Sequence, residues 1–172
     1  MPRNTTAGFT LIELLITLAV LGVLLSIGVP AFRVWMQNTQ VRNAADAVLN
    51  GIQLARTEAV RRNVNVEFAL GNSADWVVQQ ASPRTLIQSR PAESGGTNKT
   101  QIDTQPADAS IVTFSALGGV TSNLDASSSL RQVDVTAPGS PPGVRRLSIV
   151  ISINGSPRMC DRDLPTTDTR AC

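Results

Sequence analysis

The chain has 172 residues, of which 42% are hydrophobic and 16% charged, and its formal net charge is +2 at pH 7. This length accommodates one membrane segment and one further domain of ordinary size, and so small a net charge predicts no particular partner. The chain contains no histidine, which excludes Ser-His-Asp and Cys-His catalysis and removes the commonest metal ligand. Because the carboxylates are scattered along the sequence, we predict no catalytic residue, no metal site, no cofactor and no enzyme activity.

An apolar segment runs from Phe9 to Val29, and its only polar members are Thr10, Glu13, Thr17 and Ser26. As a helix it would span roughly 31 Å, which is enough to cross a bilayer. An acid at mid-bilayer costs about 2.5–3.5 kcal/mol, so an acid inside such a segment is a functional candidate that needs a partner. A secretory signal peptide has its apolar core before the cleavage site, whereas here the core follows a short polar flank that ends in glycine.

The residues Gly8-Phe9-Thr-Leu-Ile-Glu13-Leu-Leu resemble the processing site of type IV prepilins. The resemblance implies that prepilin peptidase cleaves after Gly8 and that Phe9 becomes the methylated amino terminus. It also implies that Glu13 meets the terminal amine of a neighbouring subunit during assembly. Such a pair attracts strongly in a low dielectric, where either charge alone is costly. The alternative is a plain single-pass anchor whose acid stays hydrated near one interface.

Farther along, apolar residues recur at alternating steps of four and three, which predicts an amphipathic helix that ends near Arg62. The members of this stripe are Val41, Ala45, Val48, Ile52, Ala55 and Ala59. On the exposed side, Glu58 precedes Arg62 by four residues, a spacing that favours an ion pair. Gly28 and Pro30 predict a kink or a locally melted stretch in the middle of the combined helix, because proline removes a backbone hydrogen bond. In the alternative, Pro30 only marks where the anchor meets water.

Beyond residue 62 the period of the apolar residues changes to two, which predicts a sheet. Strands are predicted at 64–70, 76–80, 86–89, 111–114, 132–136 and 146–153. Residues 90–110 are rich in small and polar types and are predicted to form a surface loop, as are the shorter segments 122–129 and 137–143. Asn154-Gly155 predicts a two-residue hairpin turn, with Pro157 on an edge strand.

Cys160 and Cys172 are the only cysteines. With an anchor that delivers the rest of the chain outside the cytoplasm, an even cysteine count predicts a disulfide between them. Two free thiols or an intermolecular bridge are the alternatives.

Residues 53–63, followed by an alternating strand, are similar to the GspH/FimT branch of the pilins, which includes the FimU minor pilins. The resemblance implies an α+β protein with the type IV pilin fold: a long N-terminal helix packed on an antiparallel β-sheet domain that carries a C-terminal disulfide loop. In this organisation residues 1–8 are the leader, 9–30 the transmembrane half of the helix, 31–62 its amphipathic half and 63–172 the β-rich domain.

The resemblance further implies a minor pilin, cleaved by prepilin peptidase and held in the bacterial inner membrane with its C-terminal domain in the periplasm. From there it would enter the pilus fibre at or near the tip and prime assembly on the inner-membrane platform, for twitching motility or adhesion. Its partners would be the other major and minor pilins. A pseudopilin of type II secretion is one alternative, and a DNA-binding minor pilin for DNA uptake is the other.

DNA-uptake members of the branch carry a basic C-terminal motif of glycine, arginine, any residue and arginine. Here the aligned stretch is Gly155-Ser156-Pro157-Arg158, so serine replaces the first arginine. The candidate DNA-binding residues are Arg145, Arg146, Arg158, Arg162 and Arg170. The tail, residues 138–172, contains no aromatic residue that could stack on bases. The favoured interpretation is that these arginines pair with nearby aspartates on a solvated face.

Overall fold

In the computed structural model, which describes residues 10–91 and 99–172, the chain forms one long helix and nine strands over those residues. The helix α1 spans Leu11–Arg62. The strands are β1 (Val66–Leu70), β2 (Trp76–Gln80), β3 (Thr85–Arg90), β4 (Gln101–Gln105), β5 (Ile111–Phe114), β6 (Val120–Thr121), β7 (Gln132–Thr136), β8 (Leu147–Ile151) and β9 (Pro157–Asp161). Two compact units result, Met1–Met36 and Gln37–Cys172.

Asn63 ends α1 by adopting a left-handed conformation with φ 55°. Its N–H donates to the carbonyl of Val60 at 3.3 Å, and the N–H of Val64 donates to the carbonyl of Ala59, also at 3.3 Å. This pair of bonds is a Schellman motif, in which asparagine is a common substitute for glycine. Because Val64 is part of this cap, the strand does not begin at residue 64 as predicted, and β1 begins at Val66.

The predicted apolar stripe of α1 is confirmed, because each of its six members is at most 1% exposed. Gly51 lies on the same face and brings the helix close to the sheet. A Cβ atom at this position would lie 2.7 Å from Cε2 of Phe68 and 2.8 Å from Cε2 of Trp76. The helix also continues through Gly28 and Pro30, so it has no melted stretch there; a kink stays a prediction.

Two antiparallel sheets follow α1, with strand orders β3-β2-β1-β5-β6 and β4-β7-β8-β9. The predicted strands correspond to β1, β2, β3, β5, β7 and β8 and are confirmed. Fully buried apolar side chains fill the core from both sheets: Val66, Phe68, Val78, Val112 and Phe114 from the first, and Val133, Val135 and Ile149 from the second.

The prediction that residues 90–110 form only a loop is wrong, because β4 lies within this range and pairs with β7 along its whole length. β4 is an edge strand whose one apolar residue, Ile102, is half-buried. Such a strand is held by backbone hydrogen bonds more than by an apolar face, so its sequence shows little alternation. The two-residue strand β6 was also not predicted.

A hairpin joins β8 to β9, as predicted, but its loop has five residues, 152–156, instead of two. Gly155 has φ +79°, whereas Asn154 is not among the residues with positive φ. The loop is closed by the N–H of Ser152 donating to the carbonyl of Ser156 at 3.2 Å and the N–H of Gly155 donating to the carbonyl of Ser152 at 2.8 Å. Pro157 begins the edge strand β9, where its missing donor is harmless.

The predicted disulfide between Cys160 and Cys172 is present, with a Cα–Cα distance of 5.0 Å. It ties the C-terminal tail to β9. Backbone bonds reinforce this tie, because the N–H of Asp161 donates to the carbonyl of Arg170 at 2.8 Å and the N–H of Cys172 donates to the carbonyl of Asp161 at 3.3 Å. The C-terminal disulfide loop is therefore an ordered extension of the second sheet.

Candidate assembly site and tail arginines

The N-terminal half of α1 exposes a continuous apolar surface. The large apolar side chains that the structure describes between Leu11 and Val29 are 43–77% exposed. The helix is long and apolar enough to cross a membrane. Soluble monomers rarely expose apolar patches of this extent. This surface therefore requires lipid or other apolar helices around it.

Glu13 lies in the first turn of α1, where it forms a capping box with Thr10. The N–H and the hydroxyl of Thr10 each donate to Oε2 of Glu13 at 3.0 Å, and the N–H of Glu13 donates to Oγ1 of Thr10 at 3.3 Å. Such a pair satisfies donors that a helix start would otherwise leave open. An ionised carboxylate offers about four acceptor sites, so Glu13 retains capacity for a further donor.

Gly8 and Phe9, the predicted cleavage and methylation residues, lie outside the described residues and stay predictions. At the other end of the apolar segment, the rings of Phe32 and Trp35 have centroids 5.7 Å apart. Aromatic side chains concentrate where membrane helices meet water. The pair lies two to five residues beyond Pro30, close to the predicted end of the anchor.

Three of the five candidate DNA-binding arginines form ion pairs with aspartates. Arg146 Nη2 lies 2.6 Å from Asp163 Oδ1. Arg162 Nη1 lies 2.7 Å from Asp134 Oδ2, and Arg170 Nη2 lies 2.8 Å from Asp168 Oδ2. Side-chain hydrogen bonds from the arginine lower the carboxyl pKa in two of these pairs: below its ordinary value for Asp163, and to about 2 for Asp168. These arginines tie the tail to itself and to the second sheet.

Arg145 and Arg158 have exposed side chains without an ion pair to any residue that the structure describes. The backbone N–H of Arg145 donates to Oδ1 of Asn38 at 2.8 Å, and Nδ2 of Asn38 donates to the carbonyl of Gly143 at 3.0 Å. Asn38 thereby holds the segment before β8 against α1. DNA binding stays a prediction. Of the five candidate arginines, only Arg145 and Arg158 form no ion pair with a described residue.

Sequence reasoning missed Asn38, Gly51 and Asp134. Asn38 and Asp134 carry no local signal, because their partners lie far along the chain. Gly51 could have been found, since a glycine inside an apolar helical stripe indicates close approach of another element. Over residues 10–91 and 99–172, no three metal-ligating side chains come together.

A long N-terminal helix, apolar and exposed at its start and packed on antiparallel sheets farther along, defines the pilin class of proteins. Two solved structures share the fold. The type IV minor pilin FimU of Pseudomonas aeruginosa is 18% identical with a TM-score of 0.53, and the match covers 78% of this chain and 95% of that one. The minor pseudopilin EpsH from the Type 2 Secretion System of Vibrio cholerae is 12% identical with a TM-score of 0.55, and the match covers 73% of this chain and 99% of that one.

The family model of the type II transport protein GspH matches residues 44–155, and the prokaryotic N-terminal methylation motif matches residues 3–29. The chain therefore belongs to the GspH family of structural pilin and pseudopilin subunits. A search of curated protein sequences gives no match. The resemblance seen in the sequence and the predicted pilin fold are confirmed.

Proposed function

We propose that this chain is a minor type IV pilin that is cleaved after Gly8 and anchored in the inner membrane by residues 9–30, with its β-rich domain in the periplasm. It then enters the fibre at or near the tip and primes assembly with other pilins. The observation that carries the proposal is the exposed apolar helix with a single carboxylate, Glu13, in its first turn. That surface suits transfer from lipid into the apolar core of a filament.

The energetics support this order of events. In the membrane, the hydrogen bonds from Thr10 reduce the cost of holding Glu13 near hydrocarbon. In the filament, neighbouring helices replace lipid around the apolar side chains. Moving the apolar surface from lipid into the filament therefore changes the free energy little. The terminal amine of a neighbouring Phe9 would then use the remaining acceptor capacity of Glu13. A hydrogen bond to a charged group contributes about 1.5–3 kcal/mol, which is sufficient to fix register.

The second candidate is a pseudopilin of type II secretion. It is favoured by the description of the matching family model and by the similarity to EpsH. Both machines would use the same anchor and the same carboxylate. They differ in where the mature chain is found: in fibres sheared from the cell surface for a minor pilin, and in a periplasmic pseudopilus for a secretion subunit.

The test is incorporation of Glu13→Ala into sheared surface fibres, measured against the amount of the chain in the membrane fraction. We expect at least a tenfold loss from the fibres with a normal membrane level, because about 1.4 kcal/mol corresponds to tenfold. Thr17→Ala is the matched control, since Thr17 is also polar within the anchor but donates only to the carbonyl of Leu14 at 2.8 Å. Wild-type incorporation of Glu13→Ala would refute the proposed role.

A further inference from the structure

Three apolar side chains protrude into solvent from the Gln37–Cys172 unit where α1 ends. Val60 is 53% exposed, Leu117 in the β5–β6 turn is 93% exposed, and Ile153 in the β8–β9 loop is 81% exposed. We call Val60, Leu117 and Ile153 the apolar end patch. None of the three is in the membrane-spanning part of the chain, so lipid does not explain their exposure.

The carbonyl of Gly118 is the point at which the three segments carrying the patch meet. It accepts a hydrogen bond from Nε of Arg56 at 3.1 Å. A Cβ atom on Gly118 would lie 3.1 Å from Cγ2 of Val60, and Gly155 abuts the same carbonyl so closely that a side chain there would overlap it.

A backbone hydrogen bond joins the β8–β9 loop to the first residue of β6, directly after the β5–β6 turn, because the N–H of Val120 donates to the carbonyl of Ile153 at 3.1 Å. Leu117 and Ile153 are therefore presented by loops that are fixed to each other and to α1. A surface built in this way loses little conformational entropy when it binds a partner.

The surroundings of the patch are positively charged. Residues 53–62, 115–121 and 151–157 together contain three arginines and one glutamate. That glutamate, Glu58, is already bound by Arg61 at 2.7 Å and by Arg62 at 2.6 Å. The exposed Arg131 lines the same groove as Ile153 and adds a further positive charge.

We propose that the apolar end patch docks a second, different subunit of the pilin class, whose facing surface is apolar at its centre and acidic at its rim. A second copy of this chain docked through the same patch would bring an equally basic rim against this one, and like charges at an interface are repulsive. The patch suits nucleic acid poorly, because its basic rim surrounds aliphatic side chains and offers no aromatic ring on which bases could stack. The inference rests on the proposed function, since it identifies a partner within the same assembly.

The test places a photo-crosslinking amino acid at Leu117 or Ile153 of the full-length chain in the living bacterium and identifies the adducts by mass spectrometry. Gln101, exposed at the far end of β4, is the control on the same unit. Leu18, within the anchor, is the control for assembly as such. We expect Leu117 and Ile153 to give adducts with a different chain that carries the N-terminal methylation motif, and Gln101 to give none.

Adducts from Leu18 without adducts from Leu117 and Ile153 would overturn the docking surface and leave the proposed function standing. Adducts of Leu117 with a second copy of this chain would also overturn it. If Leu18 itself gave no pilin-class adduct, the proposed function would fail together with the docking surface.

A charge reversal tests the electrostatic part of the inference. With the crosslinker at Leu117, Arg131→Glu should lower the adduct yield at least fivefold, whereas Lys99→Glu, an equal change in charge at an exposed position beside β4, should leave it unchanged. Equal effects of the two reversals would mean that the rim charge does not select the partner.

Discussion

Gly51 sets the distance between α1 and the sheet that contains β1 and β2. A Cβ atom there would lie 2.7 Å from Cε2 of Phe68, and 2.8 and 2.9 Å from Cε2 and Cδ2 of Trp76. Carbon atoms in favourable contact are about 3.5–4.0 Å apart, so alanine would require a displacement of roughly 0.8 Å. Both rings are buried and their centroids are 6.1 Å apart, so neither can move without disturbing the other.

Overpacking a close-packed core costs about 1–3 kcal/mol. Replacing glycine by alanine inside a helix gains up to about 1 kcal/mol. Because two buried rings are affected at once, we expect the packing cost to lie in the upper part of its range. The free energy of unfolding of Gly51→Ala should therefore fall by about 1–2 kcal/mol, which lowers Tm by about 2–8 °C for a chain of this size.

The assay is thermal unfolding of the full chain in detergent micelles, followed by near-ultraviolet circular dichroism, which reports the packing of aromatic rings, including the buried Trp76. The matched control is Asn50→Ala at the neighbouring exposed position of the same helix. This change should raise the free energy of unfolding by up to about 0.7 kcal/mol through helix propensity, and the new side chain does not press on an aromatic ring. The two alanine substitutions should shift Tm in opposite directions, and a Gly51→Ala chain as stable as the wild type would refute the reasoning.

Cys172→Ser opens a loop with a sequence separation of 12, for which the chain-entropy model gives a loss of about 3 kcal/mol. Chemical denaturation with and without reductant measures this loss, and equal midpoints for wild type and variant under oxidising conditions would contradict it. Hydrogen bonds from Arg61 and Arg62 lower the pKa of Glu58 from 4.5 to about 2. Because this folded-state pKa is depressed, the resulting stability is present above about pH 4.5 and is lost as the pH falls toward 2. Glu58→Gln should flatten the dependence of Tm on pH in that window, and an unchanged slope would show that the two ion pairs do not contribute.

Several parts of the fold follow from local geometry and could be predicted. The stripe from Val41 to Ala59 has the period of a helix, and residues 66–70 have the period of a strand, because each period fixes which side chains share a face. That the start of α1 is long and apolar enough to cross a membrane follows from length and apolarity alone. The role of Glu13 came from a sequence motif and not from a period, and it stays a prediction.

The failures have a physical reason in common. β4 is an edge strand that depends on pairing with β7, which lies about 30 residues farther along the chain, and its own residues show little of that pairing. The β8–β9 loop includes five residues because backbone bonds of Ser152 and contacts of Gly155 with Gly118 shape it. Turn propensity identified the place of the hairpin, but packing against another loop decided its length.

Taken by itself, the sequence determined the apolar N-terminal segment with its single acid, the amphipathic helix that follows it, the strand-rich remainder and the two cysteines available for a disulfide. Each depends on residues that are close in the chain or on composition. Only the tertiary structure decided the order of strands in two separate sheets, because pairing partners are selected by packing across the whole domain. It also decided that Glu67 is buried, with Gln79 donating to it at 3.2 Å, and that Arg162 binds Asp134. A period of two assigns side chains to faces, but what covers each face depends on distant segments of the chain.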